Sequence, residues 1–86
     1  MTIDVRSYRV FVEPLGPDLG GGFVSYAPDL LGCVSDGATP DEALRNIYDA
    51  IACWIDAAKA NGEPIPKATN IREYATYVSM PEPKLS

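Results

Sequence analysis

Hydrophobic and polar positions along this chain follow a strand-like pattern first, then a helical one. Residues 7–13 (Ser-Tyr-Arg-Val-Phe-Val-Glu) are rich in β-branched and aromatic side chains and stop at Pro14, which predicts a strand. Residues 14–22 (Pro-Leu-Gly-Pro-Asp-Leu-Gly-Gly-Gly) are turn material, because glycine tolerates positive φ and proline cannot sit in a central strand. Residues 23–26 (Phe-Val-Ser-Tyr) predict a second strand that forms a hairpin with the first. Residues 27–32 then make a bend, and 33–36 (Cys-Val-Ser-Asp) a third short strand closed by Gly37.

From Thr39 the period becomes helical. Thr39-Pro40-Asp41-Glu42 has capping-box spacing, with Thr39 serving the Glu42 amide and Glu42 returning the bond. Pro40 falls at the first helical position, where a missing N–H costs nothing extra, and Asp41 and Glu42 suit the positive end of the helix dipole. Leu44, Ile47, Tyr48, Ile51, Ile55 and Ala58 form one apolar stripe, while Arg45, Asn46, Asp49, Asp56 and Lys59 mark the wet side. Gly62 is placed to end the helix in the left-handed region, with Pro64 and Pro66 preventing continuation.

Beyond a polar linker, residues 74–80 (Tyr-Ala-Thr-Tyr-Val-Ser-Met) alternate and predict a fourth strand. The expected architecture is α+β: one domain over 1–80 in the order β-β-β-α-β, an antiparallel sheet with one long helix on one face, and a tail at 81–86. One helix covers one face of a sheet. Both strand parities carry apolar residues, so the other face is expected to meet a partner or a second copy, as a homodimer or higher homo-oligomer.

Composition narrows the chemistry. The chain has 86 residues, twelve acidic against seven basic side chains, a formal charge of −5 and no histidine. Lacking histidine, it cannot form a Ser–His–Asp or Cys–His arrangement, and it lacks the commonest zinc ligand. The acidic balance argues against direct nucleic-acid binding, which rests on Lys and Arg at phosphates, and favours basic partners. Cys33 and Cys53 form no CxxC pair and read as free thiols of a reduced compartment. With no secretory signal at the N-terminus and no apolar run near the roughly 20 residues that span a bilayer, a cytoplasmic protein with no membrane association is expected.

The remaining motifs have structural explanations. Gly20-Gly21-Gly22 leads into a strand rather than a helix and lacks the Lys-Ser/Thr of a nucleotide loop, so it reads as a hairpin turn. Asp29, Asp36, Asp41 and Glu42 lie close in sequence, but turn and capping roles account for them. No catalytic residue, metal site or cofactor is expected. Trp54, one position off the apolar stripe, suits either partial core burial or an interface anchor.

Residues 22–44, GFVSYAPDLLGCVSDGATPDEAL, with Trp54 and the Gly62-Glu63-Pro64-Ile65-Pro66 exit, resemble the N-terminal domain of HicB-like antitoxins. The likeness runs over about residues 7–66. Leu31 departs from it, standing where the family commonly has proline. The resemblance implies a truncated ribonuclease H-like fold in a toxin–antitoxin system. Its function would be to bind and neutralise a small basic HicA-type toxin, an mRNA-cleaving ribonuclease, by occluding its RNA-binding and active site. An acidic protein facing an RNA-binding toxin can imitate phosphate and speed association. Tyr26, Asp29, Leu30, Asp36 and Trp54 are the partner-binding residues expected on this basis. Pro28, Gly32 and Gly37 would set backbone shape. Many members carry a C-terminal DNA-binding domain; residues 81–86 are too short to supply one, so direct operator binding is not expected. Two other readings remain: an orphan acidic adaptor that binds another protein or itself, and a carboxylate- and Mg-dependent nuclease of the ribonuclease H type. The nuclease reading is weak, because the strand interiors offer one acid at best, Asp36.

Overall fold

The computed structural model describes residues 4–69, which form a three-stranded antiparallel sheet with one helix on one face. Strands β1 (Phe11–Pro14), β2 (Phe23–Tyr26) and β3 (Val34–Gly37) are neighbours in that order, and helix α1 (Pro40–Ala60) follows. This is the α+β class expected, with the order β-β-β-α. The strand predicted at 74–80 and the tail at 81–86 lie outside the described residues.

The first strand begins later than its composition predicts. The Asp4 carboxylate accepts from the Arg6 N–H at 2.9 Å and the Asp4 carbonyl from Ser7 Oγ at 2.6 Å, so Val5–Ser7 winds into one 3-10 turn. Local bonds of this kind compete with a sheet ladder. Tyr8 then turns into the core, 4% exposed, where its hydroxyl donates to the Pro66 carbonyl at 2.6 Å. The ladder starts only at Phe11. At the far end it takes in Pro14, opposite Phe23. The Leu15 N–H donates to Gly22 O at 2.8 Å, so Phe11, Glu13 and Leu15 aim their backbone groups at β2. Pro14 has the opposite parity, and its missing N–H faces away from the ladder.

The hairpin loop winds through a 3-10 turn at Pro17–Leu19 and closes on three glycines of positive φ. At Gly22 both conformation and space require glycine: φ is 76°, and a Cβ there would lie 2.9 Å from Gly37 O.

Helix α1 starts where the cap predicts, with Thr39 Oγ1 accepting from the Glu42 N–H at 3.1 Å. It ends with Gly62 at φ 68°. There the Glu63 N–H donates to Ala58 O at 2.9 Å and the Gly62 N–H to Lys59 O at 3.2 Å, the paired bonds of a Schellman exit. Ile47 and Ile51 are wholly buried, and Ile55 and Ala58 nearly so.

One stripe position differs from expectation. Leu44 is 37% exposed, and Ala43 is the wholly buried residue of the first turns. The cause is close approach. Ser25 Oγ, itself wholly buried, donates to Ala43 O at 2.8 Å, and a Cβ on Gly37 would lie 2.5 Å from Ala43 N. Only a methyl group fits between helix and sheet there. Tyr8, Ala27, Leu30 and Cys33 complete the core beneath the isoleucines.

Two substitutions test this account by urea denaturation. Thr39→Ala is expected to lower stability by about 1 kcal/mol through loss of the cap. Gly37→Ala is expected to cost more, because its Cβ meets backbone that cannot move aside as a side chain would.

Candidate binding site at the bend

The segment joining β2 to β3 is short and heavily tied. Leu30 N–H donates to Ala27 O at 3.1 Å, Cys33 N–H to Leu30 O at 3.0 Å and Ala27 N–H to Cys33 O at 3.0 Å. Gly32, at φ 76°, completes the reversal. From below, Trp54 Nε1 donates to Leu31 O at 2.9 Å. A half-buried Trp with its ring against the core and its N–H on a loop carbonyl fulfils the core-burial reading and braces the bend. The result is a rigid frame that presents Leu31 to solvent at 91% exposure.

Asp29 ties the bend to the rest of the chain. Its carboxylate accepts from Arg9 Nη2 at 3.3 Å, from the Thr69 N–H at 2.8 Å and from Thr69 Oγ1 at 3.1 Å. The side chain retains only 12% exposure, so these bonds form largely out of water, where charge-assisted bonds are stronger. Tyr8 lies close enough for the Asp29 charge to act on it. Burial, with that charge second, pushes the Tyr8 hydroxyl above its ordinary 10.0, and burial likewise raises the Cys33 thiol above 9.0.

Of the five residues expected at the partner surface, the structure gathers four around this frame. Leu30 is 1% exposed and forms its foundation. Tyr26 is half-buried at the end of β2; its ring stacks on Phe11 at 5.3 Å and its hydroxyl donates to Glu13 Oε1 at 3.1 Å. Tyr26, Pro28, Leu31 and Val34 help line a shallow depression of about 210 Å³ beside the bend. Asp29 and Trp54 hold the frame from its two sides. Asp36 stands apart, exposed on β3, and lines a second depression of about 390 Å³ with Glu42 and the glycines of the hairpin loop.

Sequence reasoning did not single out Leu31 as a contact residue. The available signal was a bulky aliphatic in a Pro-Asp-Leu-Leu-Gly turn, a place where solvent exposure is the rule. Nor did it find Asn46, whose Nδ2 donates to Asp36 O at 2.7 Å.

Among the described residues, no group of three or more acidic, cysteine or histidine side chains could hold a metal ion. Both cysteines are free, Cys33 buried and Cys53 exposed. No helix of the described residues is long and apolar enough to cross a membrane. The assembled chemistry is that of a binding surface, with carboxylates, an aromatic stack and an exposed aliphatic on a braced loop.

Asp29→Ala is expected to cost about 1–3 kcal/mol, since it leaves Arg9 and the Thr69 amide without their acceptor, and to speed proteolysis after Lys67. The raised Tyr8 and Cys33 values make an alkaline prediction. Their neutral forms are favoured in the folded state, so the stability they contribute is complete below their ordinary values and is lost as pH rises through the folded ones. The urea midpoint should hold to about pH 8.5 and fall above about pH 10, with a smaller fall in Tyr8→Phe.

Comparison with known proteins places this geometry in a family. Residues 8–82 match the family described as HicB_like antitoxin of bacterial toxin-antitoxin system. A UPF0150 protein of Synechocystis is 36% identical over 67 residues, covering 78% of this chain and 85% of that protein. A UPF0150 protein of Thermoplasma acidophilum is 42% identical over 50 residues, covering 58% of this chain and 72% of that protein. An uncharacterized 14.9 kDa protein of Haemophilus phage HP1 is 36% identical over 63 residues, covering 73% of this chain but only 45% of its own length. No solved structure shows significant similarity. The chain belongs to the HicB-like antitoxin family.

Proposed function

We propose that the protein neutralises a small basic HicA-type toxin, an mRNA-cleaving ribonuclease, by covering the surface with which that toxin engages RNA. Membership of the antitoxin family over residues 8–82 carries this reading. The charge of −5 supports it, since a partner built to hold phosphates presents cations that an acidic chain attracts. The protein acts by binding, without catalysis, in the cytoplasm where such a toxin meets mRNA. A truncated ribonuclease H-like topology is consistent with the β-β-β-α order.

The partner surface consists of Tyr26, Asp29, Leu30, Asp36 and Trp54 in unequal roles. Asp36, exposed on β3, offers charge to the toxin. Tyr26 gives an aromatic contact whose ring is already fixed by Phe11 and Glu13, so little side-chain freedom is lost on binding. Leu30 and Trp54 act from beneath by holding Leu31 in place. The Asp29 carboxylate is held within the fold and contributes by shaping the bend.

The test begins with a short basic reading frame adjacent to this gene. Its product should arrest growth, co-expression of this chain should restore it, and the two should purify as one complex. Asp36→Lys is expected to lower the association rate severalfold at low ionic strength and to flatten its salt dependence. An unchanged rate removes Asp36 from the interface, and a basic neighbour that neither arrests growth nor binds overturns the antitoxin reading.

A further inference from the structure

The open edge of β3 has features of a strand that pairs with its own copy. In the β2–β3 ladder Ser25 faces Ser35 and Phe23 faces Gly37, and the Ala27 N–H donates to Cys33 O in the same phase. Those alternate residues exchange the ladder bonds. Val34 and Asp36, of opposite parity, therefore aim their backbone groups away from β2, along the outer edge. Asn46 Nδ2 covers the Asp36 carbonyl at 2.7 Å. Among the described residues, the Val34 N–H and C=O have no recorded partner. Edge strands are commonly guarded by charge, proline or a covering element. Here the exposed edge position holds a β-branched apolar residue, 61% exposed.

The side chains continue the pattern. Phe11 is opposite Tyr26 and Tyr26 is opposite Val34, so the three form one row across the sheet. Ser25 points at the helix, which puts this row on the uncovered face. The row runs to the edge and stops at Val34.

We propose that two copies of this chain pair antiparallel along β3 about a two-fold axis at Val34, joining their sheets. Each Val34 N–H donates to the Val34 carbonyl of the other copy, satisfying the two groups the fold leaves outward. The apolar row becomes continuous, Phe11–Tyr26–Val34 meeting Val34–Tyr26–Phe11. In this register Asp36 lies opposite Gly32 of the other copy, and the two Asp36 residues stand four positions apart, roughly 13 Å along the strands. That exceeds the screening length of about 8 Å at physiological salt, so two acidic chains approach here with little local repulsion. A shift that paired the Asp36 residues directly would oppose like charges and displace Asn46. The contact is self-complementary, as a two-fold interface requires, and it stands independently of the toxin reading.

Sedimentation equilibrium of the full chain under reducing conditions, which keep the exposed Cys53 from cross-linking, is the test. Wild type should show a concentration-dependent monomer–dimer equilibrium. Val34→Pro removes only the outward N–H, and Val34→Lys places a charge at the axis. Each should weaken dimerisation by at least about tenfold while far-ultraviolet circular dichroism stays unchanged, and Val34→Ile should preserve it. Hydrogen exchange at the Val34 amide gives a readout independent of the variants, because it should slow as protein concentration rises. A wild type that stays monomeric into the millimolar range overturns the proposal. So does a dimer that survives Val34→Lys, or a Val34 amide protected only when the toxin is bound.

Discussion

Everything in this fold rests on how closely the first turn of α1 approaches the sheet. The strands beneath it carry almost no side-chain volume: Ser25 and Gly37 replace the larger residues that sheets usually present to a helix. The Ser25 hydroxyl then accommodates what such proximity would otherwise strand, giving the wholly buried oxygen a bond to a helix carbonyl. With its start pressed down, α1 lays Ile47, Ile51 and Ile55 over Tyr8, Ala27, Leu30 and Cys33. A bulky residue at either strand position would lift the helix and open the core. The approach also helps explain why β3 is left at the edge of the described sheet, with Asn46 reaching from the helix to its last carbonyl.

The element pattern was legible in the sequence where physical signals were local. Thr39, Pro40, Glu42 and Gly62 mark the helix ends through bonds spanning a few residues, and the structure places those ends accordingly. The bend and the flanking strands were legible for the same reason. Position 44 was not, because helical periodicity identifies an apolar stripe but not how deeply each part of it sits. Only the tertiary closeness of Gly37 decides that Ala43, not Leu44, is buried. The late start of β1 was similarly hidden: strand propensity favours residues 7–10, but the Asp4 turn and the Tyr8 bond to Pro66 prevail.

For the site, residue type indicated the neighbourhood more reliably than the role. Asp29 reads as a free acid in a turn, yet its partners Arg9 and Thr69 are distant in the chain, and no local pattern reveals them. Leu30 and Leu31 are adjacent and identical, and the backbone reversal sends one into the core and the other into solvent. Which leucine faces outward depends on the tight bonds of the bend, a matter of conformation rather than composition. Family membership and fold therefore agree on where a partner would land, while the individual contributions come from geometry.

Trp54 gives the molecule a built-in spectroscopic reporter. It is the chain's only tryptophan, so its emission is free of overlap from other indoles. Its ring lies against the core while its N–H grips the carbonyl of Leu31, the most exposed large apolar residue of the described chain. Any event that tugs on the bend alters the polarity and hydrogen bonding felt by that one indole. Occupation of the bend can thus be followed by the intrinsic fluorescence of the unlabelled protein.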